Sequence, residues 1–269
     1  MTRIGIIGCG TIGSHVAKAL EKKFSRVARL SYVSDVNPVQ VGRLWRMLKK
    51  SRPRFVSFQT LISKSDFIIE TASVGAAAEA IPRALRLGKR IMVMSVGGVL
   101  FVKDLPALLR RTRGALYIPT GAIAGIDGVL ASKMGRLRQV RITTRKPLAG
   151  LKNSPFFKKK RLSSKSIRKP TLIFEGNVRQ AIRNFPENVN VAATLSLAGL
   201  GPARTRVRVF TSPTYRFNSH EIEVIGDFGE MTTRVSNRPS RENPKTSMRA
   251  IGSAVATLEK IFQPFKIGT

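Results

Sequence analysis

Three glycines stand at G-x-G-x-x-G spacing in Gly8-Cys9-Gly10-Thr11-Ile12-Gly13. The run follows a short apolar, β-rich stretch at 3–8. It opens a stretch of helical spacing at 12–23, with Ile12, Val16 and Leu20 on one face. In that context the residue types have a chemical reason. The first glycine permits a tight turn, the second lets the backbone approach a pyrophosphate, and the third lets helix and strand pack closely while the helix N-terminus faces the phosphates. Thr11 and Ile12 belong to the same loop and count with it as candidate dinucleotide contacts. An acid about 20 residues on is expected to bond the adenosine ribose. Asp35, closing a strand-like run at 27–34, is that acid. A carboxylate there repels a 2′-phosphate and favours NAD, while Arg43 and Arg46 nearby leave NADP open. The alternative is a glycine-rich turn with no ligand. Thr71-Ala72-Ser73 and Ser95-Val96-Gly97-Gly98 each follow a further strand-like run, and in a parallel sheet ligands bind outside the carboxyl ends of the strands. Ala72, Ser73, Ser95 and Gly97 are therefore candidates for the nicotinamide ribose, or else ordinary strand-to-helix turns.

The second half holds a different chemistry. Of the two histidines, His15 falls inside the first helical stretch and reads as structural. His220, in Asn218-Ser219-His220-Glu221-Ile222, stands at the entry to a predicted strand. It is either a satisfied structural histidine or a general acid/base. The second half has no other histidine and the single cysteine lies in the glycine loop, so a reaction needing a group that titrates near neutrality has His220 as first candidate. Asn218 and Glu221 are possible orienting groups, although strand alternation turns Glu221 to the opposite face. Arg145 and Lys146, in Thr143-Thr144-Arg145-Lys146-Pro147, can grip a substrate carboxylate, arginine in bidentate fashion. Phe174-Glu175-Gly176, the asparagine-rich run 188–194, Asn237-Arg238-Pro239 and 242–247 read as turns and caps. One cysteine excludes a disulfide framework and a multi-cysteine metal cage, and no metal is expected.

These groups need a scaffold. Over the first 120 residues strand signals at 3–8, 27–34, 67–70, 90–94 and 115–118 alternate with helix signals at 12–23, 39–50, 76–87 and 105–111. That is the pattern of a Rossmann-type, doubly wound parallel sheet covered on both faces. A strand at 139–145, a polar loop at 152–170 and a helix at 189–197 follow. Strands at 205–210, 222–225 and 231–235, joined by Pro, Asn and Gly turns, predict a second α+β domain with a mainly antiparallel sheet. The expected division is 1–120 for dinucleotide binding and 121–245 for substrate and dimerisation. A final amphipathic helix at 248–262, within 246–269, is expected to pack back on the first domain.

Taken together the segments resemble the L-aspartate dehydrogenase family almost end to end. The likeness is carried by G-C-G-T-I-G at 8–13, S-V-G-G at 95–98, G-A-I-A-G-I-D at 121–127, T-T-R-K-P at 143–147 and F-E-G-N at 174–177. It continues through F-P-E-N-V-N-V-A-A-T-L-S-L-A-G-L-G at 185–201, N-S-H-E-I at 218–222 and N-P-K-T-S at 243–247. The resemblance implies a homodimeric enzyme that oxidises L-aspartate with NAD(P) to iminoaspartate, which hydrolyses to oxaloacetate and ammonia and can feed NAD biosynthesis. It also implies that His220 matches the catalytic histidine and that Ala124 and Asn190 match nicotinamide-cofactor positions. From residue type alone, Arg145 and Lys146 are expected to hold substrate carboxylates, with Thr144 and Asn190 adding hydrogen bonds.

The formal charge of +33, from 48 basic and 15 acidic residues, calls polyanions to mind. Yet residues 1–150 hold 27 basic and 7 acidic groups, so the excess is spread along the chain rather than gathered in one docking face. The exception is the stretch between Asp127 and Glu175, with 14 basic residues and no acid, which includes a basic loop of Lys158-Lys159-Lys160-Arg161 with Lys165, Arg168 and Lys169, adjoined by Phe156-Phe157. It reads as a solvated loop in preference to a nucleic-acid interface. No apolar run reaches the roughly 18 residues of a membrane span, and the N-terminus enters Ile4-Gly5-Ile6-Ile7 directly, so no membrane association and a cytoplasmic setting are expected.

Overall fold

The computed structural model describes residues 1–151, 154–160, 167–186, 189–240, 242–243 and 246–268. Contacts divide the chain into two compact units, Met1–Pro119 with Ala250–Lys266, and a second built on Thr120–Arg249.

The first unit runs β1 (Thr2–Ile7), α1 (Thr11–Lys23), β2 (Ala28–Ser34), α2 (Pro38–Met47), β3 (Arg54–Phe55), α3 (Phe58–Lys64), β4 (Phe67–Glu70), α4 (Val74–Arg86), β5 (Arg90–Val93), α5 (Leu105–Arg111) and β6 (Ala115–Tyr117). The six strands are parallel in the order β3-β2-β1-β4-β5-β6. This is the two-halved doubly wound arrangement whose strand order reverses between β1 and β4. All four residues of β4 are buried, the apolar Phe67, Ile68 and Ile69 and the terminal Glu70, in a central strand covered on both faces. Ile4, Ile6, Val16, Leu20, Val33 and Phe67 form the core with Ala254 and Leu258 of the C-terminal helix, Met248–Phe262. Phe262 lies 5.9 Å from Phe24 and 6.1 Å from Phe67, ring centre to ring centre, and Lys23 pairs with Glu259 at 2.8 Å.

The second unit runs α6 (Ile126–Ala131), β7 (Leu137–Pro147), α7 (Pro155–Lys160), β8 (Thr171–Asn177), α8 (Val178–Asn184), α9 (Asn190–Ala198), β9 (Arg206–Ser212), β10 (Asn218–Gly226) and β11 (Gly229–Asn237). Its sheet has the order β11-β10-β7-β9-β8, antiparallel throughout except for the parallel pair β7–β9. Val140, Ile142, Val207, Val209, Ile222 and Val224 are buried on one face, toward α8 and α9. The other face carries ion pairs between half-buried side chains, Arg141 with Glu223 at 2.5 Å and Arg145 with Glu221 at 3.2 Å.

Two sequence expectations are corrected here. Phe174-Glu175-Gly176 is not a turn but the interior of β8, and Asn177 at its end caps α8 in a reciprocal capping box with Gln180. The polar loop expected at 152–170 contains α7, with Phe156 and Phe157 both buried. Phe156 stacks on Phe185 at 5.1 Å and meets Phe174 edge-on at 6.3 Å. Of the basic segment, 152–153 and 161–166 lie outside the described residues.

Candidate active site

The glycine loop between β1 and α1 has the geometry its spacing predicts. Gly8 has φ +92°, and a Cβ there would stand 2.8 Å from the Ala72 backbone. A Cβ on Gly13 would stand 2.0 Å from the Gly8 carbonyl oxygen, so close packing of α1 on β1 requires glycine at that position. Above Gly10, by contrast, a Cβ would meet nothing within 4 Å. Gly10 is the N-cap of α1 and supplies no side-chain cap. The first turn, Thr11, Ile12 and Gly13, therefore presents backbone N–H groups beside open space, which fits a pyrophosphate. Cys9 is buried, and burial pushes its thiol up to about 12, which makes it inert filler.

Asp35 follows β2 and is tied to this loop. One carboxylate oxygen accepts from Cys9 N at 2.6 Å, the other from Asn37 N at 2.8 Å. Each oxygen keeps a further lone pair, so the fixed carboxylate can accept from ribose hydroxyls. Ala72 and Ser73 follow β4, and Ser95 and Gly97 follow β5 at the same end of the sheet. Thr71 Oγ1 donates to the Gly8 carbonyl at 2.7 Å and joins the β4 loop to the glycine loop.

One group was missed in the sequence. Glu70, the last residue of β4, is completely buried. Its Oε1 accepts from Ala72 N at 2.7 Å, Ser73 N at 3.0 Å and Ser95 Oγ at 2.9 Å, and its Oε2 from Ser95 N at 3.1 Å. Burial pushes the carboxyl up to about 7 while these donors pull it down. The available signal was an acid closing the apolar run Phe67-Ile68-Ile69.

In the second unit His220 is the third residue of β10, inside the strand rather than at its entry, and only 4% exposed. It pairs in register with Thr144 on β7, and Thr144 Oγ1 lies 3.0 Å from its Nδ1. Thr144, not Asn218 or Glu221, is the orienting partner. Burial, and next the positive charge of Lys146, push the imidazole down to about 3, so it is neutral at physiological pH. With Nδ1–H donated to Thr144, Nε2 keeps the lone pair that can take a proton. Lys146, on the same face as Thr144 by strand alternation, is itself buried. Both line a cavity of ≈ 10 Å³, lined also by Ala181, Phe185, Ala192 and Val209 and with room for about one water.

Arg145 does not join this set. It lies on the opposite face of β7, paired with Glu221 and 6.0 Å above the ring of Phe210, so Arg145 and Lys146, expected together to grip a substrate carboxylate, are placed on different faces of the strand. Ala124 lies in the loop before α6, where its carbonyl accepts from Thr233 Oγ1 at 3.0 Å. The Ala122 carbonyl accepts from Asn237 Nδ2 at 3.0 Å, so β11 fixes that loop at two points. Asn190 is the first residue of α9 and is partly exposed. Among the described residues no group of three His, Cys, Asp or Glu is placed to hold a metal ion, and no helix is long and apolar enough to cross a membrane.

Residues 8–119 match the family described as homoserine dehydrogenase, NAD binding domain, and the first unit is an NAD(P)-binding domain. Residues 127–261 match the family described as aspartate dehydrogenase, C-terminal. The chain is 44% identical to an L-aspartate dehydrogenase of Methanosarcina barkeri and 41% identical to one of Methanocella arvoryzae, each over 100% of both chains. The crystal structure of aspartate dehydrogenase from Thermotoga maritima has the same fold, with a TM-score of 0.70, 23% identity and 100% of both chains covered. A hyperthermophilic archaeal homoserine dehydrogenase in complex with NADPH follows at TM-score 0.60 and 12% identity, covering 100% of this chain and 99% of that one. The full-length likeness to curated relatives, and the match of the unit that carries His220, make this chain a member of the aspartate dehydrogenase family.

Proposed function

We propose that this chain oxidises L-aspartate with NAD(P) to iminoaspartate, which takes up water and releases oxaloacetate and ammonia. The observation that carries the reading is a buried neutral His220 held by Thr144 and flanked by Lys146, in the unit that matches the aspartate dehydrogenase family. The bound nicotinamide supplies the hydride acceptor for the substrate Cα. The chain's own residues do the rest. The α1 N-terminus holds pyrophosphate, Asp35 the adenosine ribose, and Ala72, Ser73, Ser95 and Gly97 the second ribose; Ala124 and Asn190 are assigned to the cofactor by resemblance. Lys146 offers a cation to a substrate carboxylate, with Thr144 and Asn190 adding hydrogen bonds. The amine is neutral before the hydride departs. His220 then takes a proton at Nε2 from the water that attacks the imine carbon.

The homodimer is proposed on the ion-paired face of the second unit's sheet. There Arg141, Glu223, Arg145 and Glu221 present alternating charges that a second copy of this chain can meet in two-fold pairing. Light scattering of the wild type and of Glu223→Arg tests it: a dimer that dissociates in the variant is expected, and a wild-type monomer discards the reading. For the activity, the test is reduction of NAD and of NADP in parallel with L-aspartate and with L-glutamate. Turnover with L-aspartate above L-glutamate is expected; turnover with neither refutes the proposal.

A further inference from the structure

We propose that Glu70 is a positioning residue for the nicotinamide half of the dinucleotide, a buried hub that locks the loops after β4 and β5 into one binding edge. The inference rests on the reading of the first unit as the cofactor domain and goes beyond the residues assigned to it. In a doubly wound sheet of this order the first three strands form one mononucleotide half and the last three the other. Asp35 and the glycine loop belong to the first half. Glu70 ends the first strand of the second. Its carboxylate hydrogen-bonds to both loops of that half, to Ala72 and Ser73 on one side and Ser95 on the other.

The chemistry favours a carboxylate over any isostere. Four donors converge on two oxygens, three on Oε1 and one on Oε2. A glutamine in the same place presents an NH2 to at least one of those donors, leaving a buried N–H or O–H without an acceptor. The site is also expensive to build, since a carboxylate without exposed surface is held only by hydrogen bonds. Among the described residues no cationic side chain hydrogen-bonds it; the donors it accepts from belong to the loops it organises. A purely structural anchor for β4 needs no such bridge to β5.

The test compares wild type, Glu70→Gln and Glu70→Asp at pH 8, above the value near 7 to which burial pushes the carboxyl. Affinity is read for NADH by nicotinamide fluorescence and for ADP, which carries only the adenosine half, by calorimetry. Hydrogen exchange at the amides of Ala72, Ser73 and Ser95 is read alongside. Loss of the hub is expected to weaken NADH at least tenfold, leave ADP within twofold and speed exchange at those amides. Glu70→Asp, one methylene short, is expected to behave the same way and carries the test if Glu70→Gln does not fold. NADH and ADP weakened alike, or neither weakened, overturns the positioning role. A wild type that binds neither NADH nor NADPH overturns the cofactor reading instead.

Discussion

At the scale of single residues, His220 carries the sharpest expectations. His220→Ala is expected to lower kcat by at least about 100-fold, the low end for loss of a general base. NADH affinity should stay unchanged, because Asp35 and the glycine loop belong to the other unit. A folded variant with more than about a tenth of wild-type kcat removes the residue from the mechanism. Burial also makes His220 a stability determinant. Its pKa falls from 6.5 to about 3 on folding. Between those values the unfolded chain binds a proton that the native chain refuses, so stability drops as pH falls through 6.5 toward 3. At about 1.4 kcal/mol per pH unit, wild type should lose about 2 kcal/mol relative to His220→Asn between pH 6.5 and 5. Glu70, raised to about 7, acts in the opposite sense between 4.5 and 7, but it is common to both proteins and cancels. Urea unfolding at pH 7 and 5 checks this; a difference that does not move with pH means His220 is not desolvated. Asp35→Ala is expected to weaken NAD and relatively favour NADP. A wild type that prefers NADP tenfold, about 1.4 kcal/mol, contradicts the ribose contact.

At the scale of elements, the parts legible in the sequence are those whose pattern is local. β4 falls where the apolar run Phe67-Ile68-Ile69 puts it, because a strand buried on both faces is largely apolar, and α5 occupies the expected Leu105–Arg111. β8 escaped because its pairing with β9 shifts register between Leu172 and Phe174, which breaks the alternation that announces a strand. The candidate site was legible in part for the same reason. The glycine loop and His220 are local signals, but the Thr144 partner is 76 residues away and is set by cross-strand register. Arg145 and Lys146 are neighbours in sequence, but strand alternation sends their side chains to opposite faces. α7 shows the limit of composition. Its lysines hide two aromatic anchors, so the segment is expected to behave as packed structure. Phe156→Ala should cost about 3 kcal/mol of stability, whereas Lys158→Ser with Lys159→Ser, both exposed, should stay within about 0.5 kcal/mol. Denaturant unfolding of the two variants decides; equal, negligible effects would return 155–160 to the solvated loop.

At the scale of the whole molecule the charge of +33 remains, and its distribution tells what it does. It is spread over both halves, and on the outer sheet face several arginines are already neutralised by Glu221, Glu223 and Glu175. What is left is a general positive field rather than a docking patch, and such a field acts by raising the local concentration of small anions. Aspartate with a neutral amine carries two carboxylates and is attracted; its encounter should weaken as salt shortens the Debye length from about 30 Å at 0.01 M to about 3 Å at 1 M. The chemical step inside the protein is screened much less, because His220 and Lys146 are buried. The expectation is therefore split: kcat/KM for L-aspartate falls about tenfold between 0.01 and 0.5 M salt, the low end for electrostatic steering, while kcat holds steady. Removing Lys158 and Lys159 should leave the salt curve unchanged, since no single cluster makes the field. Initial rates across a salt series on wild type and that double variant give both quantities. If kcat/KM is flat, the charge plays no part in drawing substrate. If the double variant alone abolishes the slope, the field has a focus in α7 after all.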